Sequence, residues 1–341
     1  MSSVFGTLVS KKLWDEKERL TIGQAIADTN RELVGSGSDT LQLLVRKSSG
    51  ASIISATGTA SASIYDWDTV TVTVDKRINY NFYVPDLHQK LGKVDFIRRN
   101  IEVGMKEIAR KEDRYVLEAA MGYTKVEDED VGTGDGSTTE FALDHAPVLE
   151  VISVEKDGVA TTDYTVDYDD GKIKFGTAPD TGVAITATYA YADSDTNYTV
   201  VDTAGTLDLD DVLEAIAALK ARGFSADYLI LPPRGQYLLT TELVGKYQFT
   251  QTSTKIPGLI GAIGDTKVIV TDLLPEGVAI VLKGPPDNPA VVRVYASDIE
   301  VRKWERPDYA RTDVFLDLYM KPVRVLDDAV QVIIGFASDA Y

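Results

Sequence analysis

The 341-residue chain contains no cysteine, and this absence excludes several kinds of chemistry. Without thiols there is no disulfide, no thiolate metal ligand and no cysteine nucleophile. Histidine is almost as scarce, because only His88 and His145 are present, which leaves little for imidazole chemistry. No apolar run approaches the roughly 18 residues that a membrane-spanning helix needs. Met1–Gly6 does not resemble a secretory signal. We therefore expect no membrane partner.

Basic residues are under-represented, since 35 Lys and Arg stand against 53 Asp and Glu and give a net charge of −18. Nucleic-acid binding depends on clustered Lys and Arg, so this balance argues against a surface built mainly to hold nucleic acid, while it leaves room for one basic face. The charge also predicts repulsion between copies, and hence an assembly that depends on ionic strength. The apolar fraction of 44% is ordinary for a chain that buries a core.

The first 84 residues contain two segments of strand pattern after a terminus without sustained periodicity. Residues 1–50 show only short helical stretches, such as Ile22–Leu33, and suit either a loosely ordered terminus or an arm that becomes ordered on a neighbouring copy. Thr69–Val74 alternates strictly, and Ile78–Val84 follows after a turn at Asp75–Arg77. The two segments predict a β-hairpin with one covered face. A hairpin alone is marginal in water, so it needs a partner surface.

A long amphipathic helix is predicted next. Over Leu87–Met121, apolar side chains recur every three to four residues, and charged residues such as Arg98 and Arg99 lie mostly between them, as on a solvated face. Asp86 is placed to cap its start and Gly122 to end it. About 30 residues at 1.5 Å each make a helix of roughly 45 Å, which is longer than a compact domain usually requires. We expect it to lie as a strut across a sheet.

Residues 125–195 have a different character, with short strands and many turns. Acidic and glycine-rich residues from 127 to 137 predict a turn-rich entry. Five short runs of strand pattern follow, at Thr139–Leu143, Val148–Lys156, Tyr164–Asp167, Lys172–Phe175 and Val183–Tyr191. Turn residues separate them at the spacing of a small all-β sandwich or barrel. The segment therefore predicts an inserted β domain.

After residue 197 the pattern is mixed α/β. Helices are predicted at Asp208–Arg222, ended by Gly223, and at Gln236–Tyr247. Strands are predicted at Tyr228–Leu231, Lys267–Thr271, Val278–Leu282, Val291–Tyr295, Ile299–Arg306, Arg311–Lys321 and Ala329–Phe336. The fold class predicted for the whole chain is α+β.

Three features invite a chemical role, and a structural role explains each of them better. Gly258–Gly264 resembles a phosphate-binding loop, but it lacks both a preceding βαβ strand and the Lys-Ser/Thr ending, which favours a flexible or closely packed loop. Asp167–Asp170 suggests a calcium loop, yet Ala178 occupies the place of the bidentate Glu, and such residues form turns. A Ser-His-acid triad would need His88 or His145, and no Gly-x-Ser-x-Gly elbow occurs. We predict no catalytic residue, no cofactor-binding residue and no metal site.

The order of the elements is itself informative: an arm, a long hairpin, a very long helix, a mixed α/β domain and a closing set of long strands. Val301–Tyr309 and Asp327–Val332 add short stretches of family-like sequence. Together they resemble the major capsid protein of tailed viruses (Caudoviricetes), with the Hong Kong 97-type fold, over nearly the whole chain except the insert. The resemblance implies an N-terminal arm at 1–50, an extended loop (β-hairpin) at 51–86, a peripheral domain with a spine helix at 87–124 and 296–341, an inserted β-rich domain at 125–197 and an axial domain at 198–295.

The insert has a resemblance of its own. Gly134–Phe141, Asp157–Val159 and Asp163–Asp167 are similar to a module that recurs in phage virion proteins. In this place the module would project outward from a shell and serve attachment, stability or contact between capsomers. Its acidic loops suit an exposed position.

The resemblance implies a non-enzymatic protein that self-assembles into pentamers and hexamers of an icosahedral shell enclosing double-stranded DNA. The implied partners are other copies, a portal protein, a separate scaffolding protein, packaged DNA at the inner face, and decoration proteins or the host surface through the insert. No long helical region precedes the arm, which implies a separate scaffolding protein or earlier cleavage. Some relatives link subunits through Lys and Asn; Lys76 lies in the extended loop, but the chain from Ser297 onward has no Asn, so we expect a non-covalent shell. The implied location is the virion, after assembly in the host cytoplasm.

Three alternatives fit parts of the sequence. An encapsulin-type nanocompartment shell shares the fold and packages a cargo enzyme, although the virion-type insert argues against it. A tail or cell-surface adhesin is supported only by the β insert and predicts an elongated oligomer of low order. An enzyme is disfavoured because no convergent catalytic set is present. A neighbouring cargo gene, light scattering and a bound cofactor, respectively, would support these alternatives.

Overall fold

A computed structural model of the chain describes residues 21–46, 67–86, 96–200, 207–243 and 259–336. Its helices are α1 (Gly23–Ile26), α2 (Phe96–Met121), α3 (Leu209–Ala221) and α4 (Pro233–Leu243). Its strands are β1 (Ala27–Asn30), β2 (Thr40–Arg46), β3 (Trp67–Thr73), β4 (Arg77–Pro85), β5 (Tyr123–Thr133), β6 (Glu140–Ala142), β7 (Val148–Lys156), β8 (Val159–Thr161), β9 (Tyr164–Asp167), β10 (Lys172–Phe175), β11 (Ala184–Ala192), β12 (Tyr198–Val200), β13 (Tyr228–Leu231), β14 (Leu259–Ile263), β15 (Thr266–Val270), β16 (Val278–Leu282), β17 (Val291–Tyr295), β18 (Glu300–Arg306), β19 (Arg311–Arg324) and β20 (Val330–Ile334). Within the described residues, no helix is both long and apolar enough to cross a membrane.

A six-stranded mixed sheet, with the strand order β12-β20-β16-β13-β15-β14, forms the centre of the α/β region. Strands β13, β16 and β20 are continuous runs whose residues are all buried, as expected of strands covered on both faces. Helix α3 covers one face with its apolar side, and its start is fixed by reciprocal hydrogen bonds between Asp208 and Asp211. The C-terminal turns of α2 pack on the other face through Val116, Leu117 and Ala120.

A second sheet, of five strands, carries the long helix and is named the large sheet after its 14-residue strand β19. Its order is β1-β17-β19-β18, and β4 also pairs with β19, along residues 311–319. Ile78, Val314, Leu316 and Leu318 point from this sheet into a core that Met105 and Ile108 of α2 complete. The described helix has 26 residues, about 39 Å at 1.5 Å per residue, and lies across the sheet as predicted. It ends at the predicted residue, because Gly122 adopts a left-handed φ of 64°. Residues 87–95, which include His88, lie outside the described residues.

The hairpin predicted from Thr69–Val74 and Ile78–Val84 is wrong. Strand β3 pairs instead with the preceding β2, in antiparallel register with Leu43 opposite Val70, while β4 joins β19 of the large sheet. The predicted turn at Asp75–Arg77 is a crossing from one sheet to the other. Alternation identifies a strand and its covered face, but it does not identify the strand that lies beside it.

Three further sequence predictions are corrected. Helix α1 is only four residues long, and the rest of the predicted helix Ile22–Leu33 includes β1, which pairs in parallel with β17. The acidic run Glu127–Asp130 belongs to the 11-residue strand β5, which pairs with β11 through bulges, and is not a turn. Gly258–Gly264 is predicted to be a loop, whereas Leu259–Ile263 forms edge strand β14.

A buried polar cluster joins the first described residues to the large sheet and α2. Arg293 of β17 and Glu112 of α2 are fully buried and form an ion pair with Nη1 2.7 Å from Oε1. The Tyr295 hydroxyl donates to the same Glu112 oxygen at 2.5 Å, and Arg293 Nη2 donates to Thr29 Oγ1 at 2.6 Å. Asp113, the next helix residue, accepts the backbone N–H groups at the start of α1, those of residues 22 and 23, at 3.0 and 2.8 Å.

Removing one partner of this cluster should be strongly destabilising. We expect Arg293→Met to lower the free energy of unfolding by about 3–5 kcal/mol, because it leaves the Glu112 carboxylate buried without its cation. Arg98→Met, at an exposed i,i+4 pair with Glu102, should cost no more than about 0.5 kcal/mol. Urea denaturation of both variants measures the difference. Equal losses of unfolding free energy would show that the buried pair contributes no more to stability than the exposed pair.

The stability of the folded protein should depend on pH because Asp113 binds a proton more tightly in the folded state. Burial raises the pKa of Asp113 from 3.8 to about 7, with a smaller contribution from Glu112, against the hydrogen bonds to residues 22 and 23 and the charge of Arg293. The folded state therefore holds a proton that the unfolded chain has released, so this stabilisation is complete below pH 3.8 and is lost as the pH rises through about 7.

Relative to Asp113→Asn, the wild-type chain should lose stability between about pH 4 and pH 7, by at most about 1.4 kcal/mol per pH unit, the value for one proton. Chemical denaturation across this range tests the slope. A difference between the two proteins that stays constant with pH would contradict the raised pKa.

Candidate assembly surfaces

The β2–β3 hairpin is a two-stranded sheet that no third strand of the described chain extends. Its base is anchored, because Leu41, Leu43, Val70 and Val72 pack with β17 residues in one apolar cluster. Farther from that base, Leu44 is 69% exposed. Residues 47–66, which connect the two strands, lie outside the described residues. A hairpin of this kind leaves apolar and backbone groups that another surface could cover.

The outer face of the large sheet, opposite α2, is rich in aromatic and arginine side chains at one end. Tyr83 and Trp304 flank Asp313 on neighbouring strands, because both are its direct cross-strand partners. Their side chains are 60% and 63% exposed, and Tyr309 in the turn between β18 and β19 is 65% exposed. The guanidinium of Arg311 lies 4.8 Å from the Tyr83 ring centre and 5.2 Å from that of Tyr309.

The solvent face of α2 carries the basic residues that the sequence places there. Arg98 and Arg99 are exposed, and so are Lys106, Arg110 and Lys111 farther along the helix. Arg98 pairs with Glu102 within the helix, and Arg110 reaches Asp272 with an N–O distance of 2.6 Å. The face is therefore basic but partly neutralised, as predicted for a solvated helix surface.

The insert is built from two facing sheets, with the strand orders β5-β11-β7-β8 and β6-β10-β9. Phe141, Phe175, Val154 and Tyr189 are among the buried residues between them. The five predicted runs correspond to β6, β7, β9, β10 and β11 within about two residues at each end. Residues 125–195 contain 17 Asp and Glu but only four Lys, so they carry −13 of the net charge of −18. This charge segregation can be counted in the sequence, and it makes the insert the most acidic part of the molecule.

The insert is attached through a polar clamp at the end of α2. Arg324, whose side chain is 7% exposed, contacts Asp193 Oδ1 at 2.7 Å and donates to Thr196 Oγ1 at 2.6 Å. Thr196 in turn donates to the carbonyl of Met121. A Cβ on Gly122 would overlap Thr196 Oγ1 and lie 2.6 Å from Asp193 Cγ. Both connections of the insert are therefore held against the helix end.

A second contact on the same side joins α2 to the insert. Tyr123 donates from its hydroxyl to Glu150 Oε2 at 3.1 Å, and Arg114 of α2 lies 3.5 Å from the same oxygen. Burial, and then the Glu150 carboxylate, raise the pKa of Tyr123 to about 12, so its hydroxyl keeps its proton and remains a donor. Leu149 and Ala192 extend the central core into the base of the insert. The attachment is thus packed as well as hydrogen-bonded.

The residues considered for chemistry have structural partners. His145 Nδ1 lies 3.1 Å from the Tyr189 hydroxyl, which donates to Glu129 at 2.6 Å, and its ring stacks on Tyr191. At the suspected calcium loop, Asp167 Oδ1 accepts the backbone N–H of residue 170, as in a turn. Within the described part of the chain, no group of three or more His, Asp and Glu is placed to hold a metal ion.

Comparison with known proteins gives matches in structure alone. No protein-family model and no curated protein matches the sequence. The capsid of Ralstonia phage GP4 matches with 12% identity and a TM-score of 0.57, over 92% of this chain and 88% of that one. The capsid of cyanophage P-SCSP1u matches with 9% identity and a TM-score of 0.54, over 93% and 89%. The SrpI encapsulin of Synechococcus elongatus PCC 7942 matches with 12% identity and a TM-score of 0.52, over 92% and 89%.

These matches establish the fold. The chain has the α+β fold of Hong Kong 97-type capsid proteins, as predicted, and it shares this fold over about nine-tenths of its length. The same fold occurs in viral capsids and in an encapsulin.

The clamp gives a test with a matched control. Gly122 and Gly158 both have a left-handed φ, of 64° and 76°, but a Cβ on Gly158 would meet nothing within 4 Å. Each alanine substitution should cost about 1–3 kcal/mol for the backbone conformation. Gly122→Ala should cost at least about 1 kcal/mol more, because the methyl group displaces Asp193 and Thr196. Thermal unfolding of the two variants checks the difference, and similar losses would contradict a tight clamp.

Proposed function

We propose that the protein is the major capsid protein of a tailed virus, which self-assembles into pentamers and hexamers of an icosahedral shell around double-stranded DNA. The observation that carries the proposal is the shared capsid fold over about nine-tenths of the chain. The β2–β3 hairpin takes the place of the extended loop, with its open strands covered by a neighbouring copy. Further partners are a portal protein, a separate scaffolding protein and the packaged DNA.

The charge distribution supports an orientation within this shell. An insert with a net charge of −13 would be repelled by packaged DNA, so we place it on the outer surface. There it would meet decoration proteins or the host surface. The exposed face of α2, with Arg99, Lys106 and Lys111, is better suited to the inner side, where counter-charges to phosphate are useful.

An encapsulin-type compartment is the second candidate, and the match to the SrpI encapsulin is the observation that favours it. The two candidate functions differ in what the shell encloses. A viral shell encloses nucleic acid, whereas a compartment of this type encloses a cargo protein. Analysis of purified particles by nuclease-protected nucleic acid and by mass spectrometry of co-purifying proteins distinguishes them.

Electron microscopy of the protein, expressed alone or with its scaffolding partner, should reveal closed shells with the insert projecting from the outer surface. Assembly should begin at a lower protein concentration as salt is raised, because the Debye length falls from about 30 Å at 0.01 M to about 10 Å at 0.1 M and screens the acidic subunits. Oligomers of low order at every salt concentration would refute the proposal and support an adhesin. Density for the insert on the inner surface would refute the orientation alone.

A further inference from the structure

Two neighbouring carboxylates of α2 are buried beside a single arginine. Glu112 and Asp113 are 0% and 4% exposed, and Arg293 of β17 is 0% exposed. Arg293 forms its ion pair with Glu112, at 2.7 Å, and the Tyr295 hydroxyl donates to the same oxygen of Glu112. If both carboxylates are ionised, the cluster holds one negative charge more than Arg293 can balance. Such a charge is costly away from water, and the group that carries it tends to bind a proton instead.

Asp113 accepts hydrogen bonds from the backbone at the start of the described chain. Its Oδ2 accepts the N–H of Ile22 at 3.0 Å, and its Oδ1 accepts the N–H of Gly23 at 2.8 Å. A Cβ on Gly23 would lie 3.2 Å from Asp113 Oδ1, which is tight for a Cβ, so a glycine suits this close approach. Helix α1 begins at Gly23, and β1 follows it directly. This segment is therefore held next to the carboxyl group whose charge is not balanced.

Protons can reach Asp113 from solvent. A cleft of about 420 Å³ between α2 and the end of β15 has Asp113 and Ile22 among its lining residues. The charged groups that face Asp113 are Glu112 of its own helix and Arg293 of β17. Helix α1 has no charged residue, and Asp28 of β1 is exposed. The other charged residues of the cleft are Lys106, Glu107, Arg110 and Asp272. Two of these four are basic and two are acidic, so the cleft adds no net charge, and burial and the two buried neighbours decide the state of Asp113.

We propose that Asp113 is a pH-sensitive latch for α1 and β1: with a proton bound it holds this segment on the core, and when the proton is lost the segment is held less tightly. Detachment of the segment uncovers the edge of β17, because β1 is the terminal strand of the large sheet. The unpaired backbone groups of such an edge are open to another strand. The latch therefore lets pH control how firmly the chain's own strand covers that edge. It does not require that the chain assembles, so it goes beyond the proposed function.

The direction of the effect follows from the linkage between proton binding and attachment of the segment. Burial raises the pKa of Asp113 to about 7 and Glu112 adds to this effect, whereas the N–H groups of residues 22 and 23 and the charge of Arg293 oppose it. When the segment detaches, Asp113 is open to water and regains its ordinary pKa of 3.8. The attached state therefore binds the proton more tightly, and attachment weakens as the pH rises through about 7. Between pH 6 and pH 8 the attachment constant should fall about tenfold, as linkage gives for these two pKa values.

Hydrogen–deuterium exchange of the full chain, followed by mass spectrometry, tests the latch. The protection factor of residues 23–30, corrected for the intrinsic pH dependence of amide exchange, should fall about tenfold from pH 6 to pH 8. Strand β16, whose residues are all buried in the central sheet, should be more protected at each pH, because the segment detaches while that sheet stays folded. In the control Asp113→Asn, which has no carboxyl proton to lose, the protection of residues 23–30 should stay constant.

Three results of this experiment would overturn the latch. The first is a wild-type protection factor for residues 23–30 that is constant or rises with pH. The second is an Asp113→Asn variant that still shows the tenfold fall, because another group would then be responsible. The third is equal protection of the segment and β16, because the segment would then open only when the whole chain unfolds.

Infrared spectroscopy of the wild-type chain keeps the test decisive if Asp113→Asn does not fold. The spectrum should contain the band of a protonated carboxyl group at pH 6, and this band should disappear by pH 8. Exposed Asp and Glu side chains have pKa values of about 4 and are ionised at both pH values. Absence of the band at pH 6 would refute the latch. Neither measurement needs closed shells, so failure of the chain to assemble would refute the proposed function alone.

Discussion

The ion pair between Arg293 and Glu112 is the constraint on which the arrangement of α2 and the large sheet depends. It is fully buried, and it links the middle of the long helix to a strand 181 residues later in the chain. Each charge removed from water costs several kcal/mol unless it is paired in good geometry and its remaining polar atoms are hydrogen-bonded. The hydroxyls of Thr29 and Tyr295 supply these hydrogen bonds. Thr29 accepts from Arg293, and Tyr295 donates to Glu112. The helix can therefore occupy only one position along the sheet without leaving a buried charge.

The same cluster explains why the first described residues belong to the core. Asp113 accepts both N–H groups at the start of α1, and Thr29 of β1 accepts from Arg293, so residues 22–29 are held at both ends. Strand β1 then adds to the edge of the large sheet in parallel with β17. A segment with weak intrinsic preference for helix or strand is thus fixed by polar contacts with residues more than 80 positions away in sequence. Local pattern carries no information about such contacts.

Predictability from sequence follows this distinction between local and distant interactions. The buried strands β13 and β16 and five strands of the insert (β6, β7, β9, β10 and β11) were predicted closely, because apolar runs and turn residues are local signals. The partner of β3 was not, since several strands in the chain offer a matching alternation and only the packed core selects among them. Glu112 falls between the apolar positions of the helix, where the sequence pattern predicts a solvated charge, whereas it is buried. Its position three residues before Tyr115 gives no sign of an arginine at 293.

The clamp at the end of α2 joins the most acidic part of the chain, residues 125–195, to the large sheet. The clamp and the continuous core at Leu149 and Ala192 hold the base of the insert on the end of α2 and on the central core. A force on the insert would therefore act through Arg324 on β19, the strand whose other end carries Arg311. Because β19 runs through 14 residues without a break, the contact with the insert and the cluster of Arg311 with Tyr83 and Tyr309 lie at opposite ends of one strand.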